Sequence, residues 1–308
     1  MSDITPDIAE IYGIEVVPIS ISFGGSYFSV SDVPLIRMFE WIEENKKQPS
    51  FKGVGSETYS KVFSKYLTQG YEVVCITGGS TIMSSYDCAC FAASGNYGDR
   101  VHIIDSHQLC ASVGFMAIKA ASMAKEGMSA NAIEINFERK IDKYKQYGIA
   151  DRVDFLQYAG FCPKVVSIGS GLLNAKFEFE VQPDMKFNVQ ILGSSMNKAV
   201  ASYCNKVFKN IKDINSERVF LIHTLSEEGY FSEVYKCIEN LDYFQDVAVC
   251  RAGHYTSSLV GRNGISVAYQ MKSMFLIFRL QVNNIWNCKP NLFLFCYVKM
   301  INSFIRIN

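Results

Sequence analysis

Apolar positions along the first half of the chain alternate between two rhythms. Short unbroken runs at 14–22 (IEVVPISIS), 72–77 (EVVCIT) and 101–105 (VHIID) are rich in β-branched residues and predict strands. Between them the spacing changes to that of helices. Leu35, Met38, Phe39 and Ile42 share one face within 33–45, and Tyr59, Val62, Phe63 and Tyr66 share one after Ser56. Further helices are predicted over 84–94 and 112–125, the second stopped by Gly127, and Ser129 caps another that buries Ala132, Ile133 and Ile135. Residues 46–56 read as a loop, and 24–28 (GGSYF) as a turn into extended chain. Short apolar strands alternating with helices are the pattern of a parallel sheet covered on both faces.

The rhythm changes near residue 150. Residues 153–161 (VDFLQYAGF) predict a short helix and a turn, and 181–192 a hairpin turning at Pro183-Asp184-Met185. A helix over 197–208, a strand at 219–224, a helix over 226–241 and strands at 246–252 and 265–269 follow. Hairpins mixed with helices predict an α+β domain. The expected fold class is therefore a two-domain α/β protein. Residues 1–150 form a parallel three-layer α/β/α domain, 151–270 a mixed-sheet α+β domain, and 271–308 a tail apart. That tail is rich in Phe, Ile, Asn and Lys and carries no acidic residue; its apolar runs are broken by Arg279 and by Lys289-Pro290.

Charge and cysteine content narrow the function classes. With 30 basic and 30 acidic residues the net charge is zero, so no basic excess is available for binding driven by nucleic-acid phosphates. Ten cysteines are scattered from Cys75 to Cys296, several in apolar runs, which reads as reduced core thiols and not as a disulfide framework. Cys88 and Cys90 with His102 and His107 lack the paired spacing of a zinc site. The first residues, MSDITPDIAEIYG, have no apolar signal segment, and no apolar run reaches the ~20 residues of a membrane span. The expectation is a cytoplasmic protein with neither a metal nor stable membrane insertion.

The chemistry concentrates at 75–93, CITGGSTIMSSYDCACFAA, where a strand runs through a Gly/Ser loop into a helix. Such a helix start leaves amides without partners, and small hydroxyl residues let a phosphate or carboxylate approach them. The loop has no Gly-Lys-Ser/Thr and no G-x-G-x-x-G. It also lacks the second Gly of a G-x-S-x-G nucleophile elbow. Three readings stay open here: an anion cradle, serines that only cap the helix, and a Ser80–His223–Asp105 hydrolase.

The order of motifs resembles the DegV family, a bacterial group of fatty-acid-binding proteins. DITPDIAEIYGIEVVPISISFGG is similar to the family opening that leads to YGI-x-VVPL. GYEVVCITGGSTIMSSYDCA resembles GYdeVl-x-I-x-iSS-x-LSGTyqsA, and VHIIDSHQLCASVGFMAIKAASMAKEG resembles v-x-viDS … G … A … la-x-x-G. VDFLQYAGF and GLLNAKFEFEVQPDMKF are similar to vdtLeyL-x-x-GGRI and lLnIKPil-x-x-x-dGki, and LVGRNGISVAY to HtGPGalgvaY. The likeness runs from residue 3 to residue 269. It implies two α/β domains with a fatty acid at their junction, its carboxylate held by the SGT hydroxyls, an upstream TS pair, an Arg and a His. It also implies presentation of the lipid to a separate fatty-acid kinase, without catalysis or cofactor.

Carried onto this chain, the SGT triplet becomes Met83-Ser84-Ser85, and the TS pair falls near Phe51-Lys52 with Ser56 close by. The Arg falls near Lys164 and the His on Leu259, with Gly261-Arg262-Asn263 in place of Gly-Pro-Gly. His254 is a candidate substitute; the alternative is an exposed loop histidine. On this alignment the family's opening DST strand is expected to be missing ahead of residue 1. The expected carboxylate contacts are Ser84, Ser85, Ser80 and Lys164, and the expected acyl-chain walls are Ile82, Phe115, Leu172 and Leu173. The alternative function is a degenerate DegV-like paralogue that has lost ligand binding; a serine hydrolase is the third.

Overall fold

The computed structural model describes residues 2–272 apart from 96, 151, 162–174, 183–185 and 226–227. Its first half comprises helix α1 (Pro6–Tyr12), strands β1 (Ser20–Ser22) and β2 (Phe28–Ser29), α2 (Leu35–Asn45), β3 (Ser50–Lys52), α3 (Ser56–Leu67), β4 (Val73–Thr77), α4 (Ser85–Ala93), β5 (Val101–Asp105), α5 (Ala111–Lys125) and α6 (Ala130–Glu138). The second half comprises β6 (Tyr144–Ala150), α7 (Asp154–Tyr158), β7 (Lys176–Val181), β8 (Phe187–Gly193), α8 (Met196–Val207), β9 (Ile214–His223), α9 (Glu228–Asn240), β10 (Val247–Arg251), α10 (His254–Val260) and β11 (Ile265–Met271).

Strands β4 and β5 pair in parallel, from Val73 against Val101 to Thr77 against Asp105. Alternation along β4 sends Val73 and Cys75 to the cluster that holds α3 and α4, and Val74 and Ile76 to the one that holds α5 and α6. Both faces are therefore covered, as the unbroken apolar runs require. A second sheet has six strands in the order β10-β9-β11-β6-β7-β8, parallel only between β9 and β10. Helices α8 and α9 cover one face through Tyr203, Val207, Val234 and Ile238. On the other face Phe220, Ile222 and Ala268 pack against Phe115 and Met116 of α5. Helix α5 thus lies between two sheets, and for that reason it is apolar nearly all round.

The hairpin expected at 181–192 is present as β7–β8, with Val181 opposite Phe187; its turn at 183–185 lies outside the described residues. Several expectations are corrected. The strand read over 14–22 is paired only at Ser20–Ser22, where β1 stands between β2 and β3 in a small antiparallel sheet. Pro18 has no N–H to give a ladder just before it. The loop read over 46–56 contains β3. Helices α1 and α10 and strand β6 were not expected; β6 belongs to the six-stranded sheet. Burial pushes the thiols of Cys75 and Cys250 up to about 12, so both stay protonated and act as packing groups.

Candidate functional site

Strand β4 ends at Thr77, and the loop to α4 is held from below by the turn that follows β5. Gly79 donates its amide to the Gln108 carbonyl at 2.8 Å, and Ile82 closes a turn onto the Gly79 carbonyl at 3.0 Å. The Ser80 amide points at Asp105, 3.2 Å and 3.4 Å from its two carboxylate oxygens. An internal carboxylate therefore already uses one amide of the Gly/Ser loop. His107 lies on the same group, Nδ1 3.7 Å from Oδ2.

The three serines separate by environment. Ser80 is half-buried beside Asp105. Ser84 is exposed at the N-cap of α4, but its φ of −68° and ψ of 6° hold the hydroxyl off the helix amides, and it makes no cap bond. Ser85 is buried, and its Oγ accepts the Val54 amide at 3.2 Å. This contact depends on Gly53, where a Cβ would fall 2.5 Å from Ser85 Oγ. Tyr59 brings its hydroxyl toward Ser85, and burial pushes that phenol above its ordinary range. Ser85 thus meets two groups of the first half, the Val54 amide and the Tyr59 hydroxyl.

Above Ser85 runs one apolar cluster that joins the two halves of the chain. Val54, Tyr59, Ile82 and Met83 come from the first half; Leu156, Phe179, Val181, Leu259 and Val260 come from the second. Phe51 meets Tyr255 edge-on at 5.1 Å across the same seam. Ile82, expected as an acyl-chain wall, is in this cluster. Phe115 is not; it packs on Phe220 and Tyr144, at 5.1 Å and 5.6 Å, in the separate core beneath α5. Lys164, Leu172 and Leu173 lie outside the described residues.

The histidines are spoken for. His254 is neither a free ligand group nor in an exposed loop. It opens α10, half-buried, with Nε2 2.6 Å from the Val33 carbonyl, and burial lowers its pKa. His223 ends β9, with Nδ1 2.8 Å from the Thr224 carbonyl and its ring on Phe231. Among the described contacts of Asp105 are the Ser80 amide and His107, and none is with His223. His102 pairs with Glu134 at 2.7 Å, and among the described residues no group of three His, Cys, Asp or Glu could hold a metal ion. No described helix is long and apolar enough to cross a membrane. The sequence reading missed Gly53, Val54 and Tyr59. Its available signal was the Gly53-Val54-Gly55 stretch, glycines at a point where backbone comes close to another element.

These features define a mixed α/β protein with an apolar seam between its halves, capped by a buried serine. The profile describing uncharacterised proteins of the DegV family matches residues 1–272, and the chain belongs to that family. A DegV domain-containing protein of Clostridium acetobutylicum is 27% identical over 212 residues, 67% of this chain and 76% of its own. One from Caldanaerobacter subterraneus subsp. tengcongensis is 28% identical over 229 residues, 74% and 81% of the two chains. Among solved structures, a stearic acid-binding protein from Eubacterium ventriosum matches with a TM-score of 0.74 and 21% identity, over 87% of this chain and 95% of its own. The fatty acid kinase B3 protein of Streptococcus pneumoniae, loaded with linoleic acid, matches with a TM-score of 0.70 and 17% identity, over 83% and 90%.

Proposed function

We propose that the protein binds a long-chain fatty acid in the seam between the two halves of the chain, as a non-catalytic cytoplasmic carrier that presents the lipid to a fatty-acid kinase. The observation that carries this reading is the continuous apolar cluster from Ile82 and Met83 to Leu259 and Val260, with the buried Ser85 hydroxyl at its polar end. Each methylene placed in such a seam contributes about 0.8 kcal/mol. The carboxylate is assigned to Ser85, with Ser84 as the outer donor and Ser80 behind them against Asp105. Because Ser85 accepts the Val54 amide, its O–H can point outward, and a charge-assisted bond to a carboxylate is the strong kind. Lys164, outside the described residues, is proposed as the cation that pairs with the carboxylate. Ile82 is retained as a wall residue together with Val54 and Val260. The bound lipids named for the Eubacterium ventriosum and Streptococcus pneumoniae proteins support the ligand class.

One observation favours a second reading, a family member that no longer binds lipid. Part of the loop's polar set has internal partners: Asp105 holds the Ser80 amide, and the Ser85 hydroxyl oxygen accepts the Val54 amide. Purification of the full chain followed by lipid extraction and mass spectrometry decides between them. A stoichiometric fatty acid in the native protein, lost from Ser84→Ala/Ser85→Ala, is the expected result. Folded native protein without lipid would establish the second reading instead.

A further inference from the structure

We propose that a pocket beside α2, α7 and the turn after α10 is a second carboxylate-recognition site, with Arg262 as its receptor and Glu43 as a built-in competitor for it. The cavity measures about 180 Å³, and none of its lining residues belongs to the 77–85 loop. Its polar rim is formed by Arg262, Arg152 and Glu43, and its apolar wall by Phe155 and Val260.

Arg262 grips Glu43 as a fork grips a carboxylate. Nε and Nη2 donate to the two oxygens at 2.7 Å and 2.9 Å. This two-bond match is the geometry by which guanidinium recognises planar oxyanions. The fork is held in place independently of Glu43. Its guanidinium lies over the Phe39 ring at 5.1 Å, and the Arg262 carbonyl accepts the Thr224 hydroxyl. The same hydroxyl oxygen takes the Gly264 amide at 2.9 Å, so the turn is tied at both ends. Glu43 is exchangeable by contrast. The pair is about one-third exposed on each side, 34% and 34%, and pairs that wet hold weakly enough for an outside carboxylate to compete. The guanidinium holds the Glu43 carboxyl below its ordinary range, the response expected of any carboxylate placed there. Arg152 adds positive charge at the rim, paired with Asp154 through Nε at 3.1 Å.

Volume and wall chemistry define the ligand as a carboxylate with an apolar part, either a small free acid or the head of a longer chain. The second source rests on the lipid-binding reading; the first does not. Full-length protein, Glu43→Gln and Arg262→Gln are titrated calorimetrically with hexanoate, palmitate and, as the neutral control, hexanol. Glu43→Gln removes the competitor and should tighten carboxylate binding severalfold. Arg262→Gln removes the receptor and should weaken it about tenfold or more, while hexanol is indifferent to both. Both variants break the same ion pair, so a merely structural pair predicts changes of the same sign. Opposite signs with hexanoate establish the small-acid site, and opposite signs with palmitate alone assign the pocket to a lipid head group. Equal responses of the two variants, or none, overturn the proposal. In that case palmitate binding that Ser84→Ala/Ser85→Ala still abolishes leaves the lipid reading intact.

Discussion

At the scale of single residues, identity alone did not rank the candidates, because rank depends on partners far away in sequence. Ser80, Ser84 and Ser85 are equivalent letters in one loop. Only Ser85 is buried, and only because Gly53, 32 positions earlier, leaves room for the Val54 amide to reach it. The sequence likewise gave no means of deciding whether His254 is free; its partner is the Val33 carbonyl. That partner carries a pH consequence. Burial lowers the pKa of both His254 and His223 in the folded chain. On acidification the unfolded chain takes up these protons first, near its ordinary value of about 6.5. The unfolded state then binds more protons than the folded one, so stability rises with pH in this window and falls as pH drops below about 6.5. Melting temperature followed from pH 7.5 downward should show that decline, and His254→Gln should flatten part of it. A profile that is flat through this window in the native protein would mean neither imidazole is held neutral.

At the scale of elements, what was legible followed one rule. Helices α2, α3 and α5 and strands β4 and β5 were read correctly because their apolar spacing comes from contacts repeated along the element itself. Strand β6 (YKQYGIA) was not, because polar and small residues interrupt it, and each interruption is explained by a neighbour. Gln146 is buried against Ser112, whose amide and hydroxyl both lie 3.4 Å from its Oε1. Gly148 sits opposite Phe179 in the ladder, and the Phe179 ring covers it. Helix α10 (HYTSSLV) was hidden in the same way: its Thr256 hydroxyl bonds to Asp3, which no local pattern announces. The Gly148–Phe179 pair can be tested directly. A Cβ at 148 would fall 2.1 Å from Phe179 Cζ, a ring 1% exposed on a central strand. Gly148→Ala should therefore destabilise the chain by about 1–3 kcal/mol, the usual penalty of overpacking. Chemical denaturation measures it. Phe179→Leu in the same background should recover part of the loss, and non-recovery would locate the defect in the backbone and not in the ring.

At the scale of the whole molecule, the seam is both the proposed ligand site and a principal contact between the halves. Fold class and two-part pattern were visible in the sequence because each half has its own apolar rhythm. The seam was visible only through the family resemblance, since its residues come from α3, α4, α7, β7 and α10 and share no common period. A ligand lying there touches both sheets' side chains at once, so its binding energy belongs to global unfolding and not to the fraying of one loop. A fatty acid supplied at a hundred times its dissociation constant should then raise the unfolding free energy by about 2.7 kcal/mol. For a chain of this size that corresponds to a melting temperature higher by about 4 °C. Hydrogen exchange should slow in α4, in the 51–54 segment and in α10 together, because all three contribute to the seam. If lipid binds but exchange slows in only one of these, the acyl chain lies on the surface of one half. In that event the seam is simply a core contact between two packed sheets.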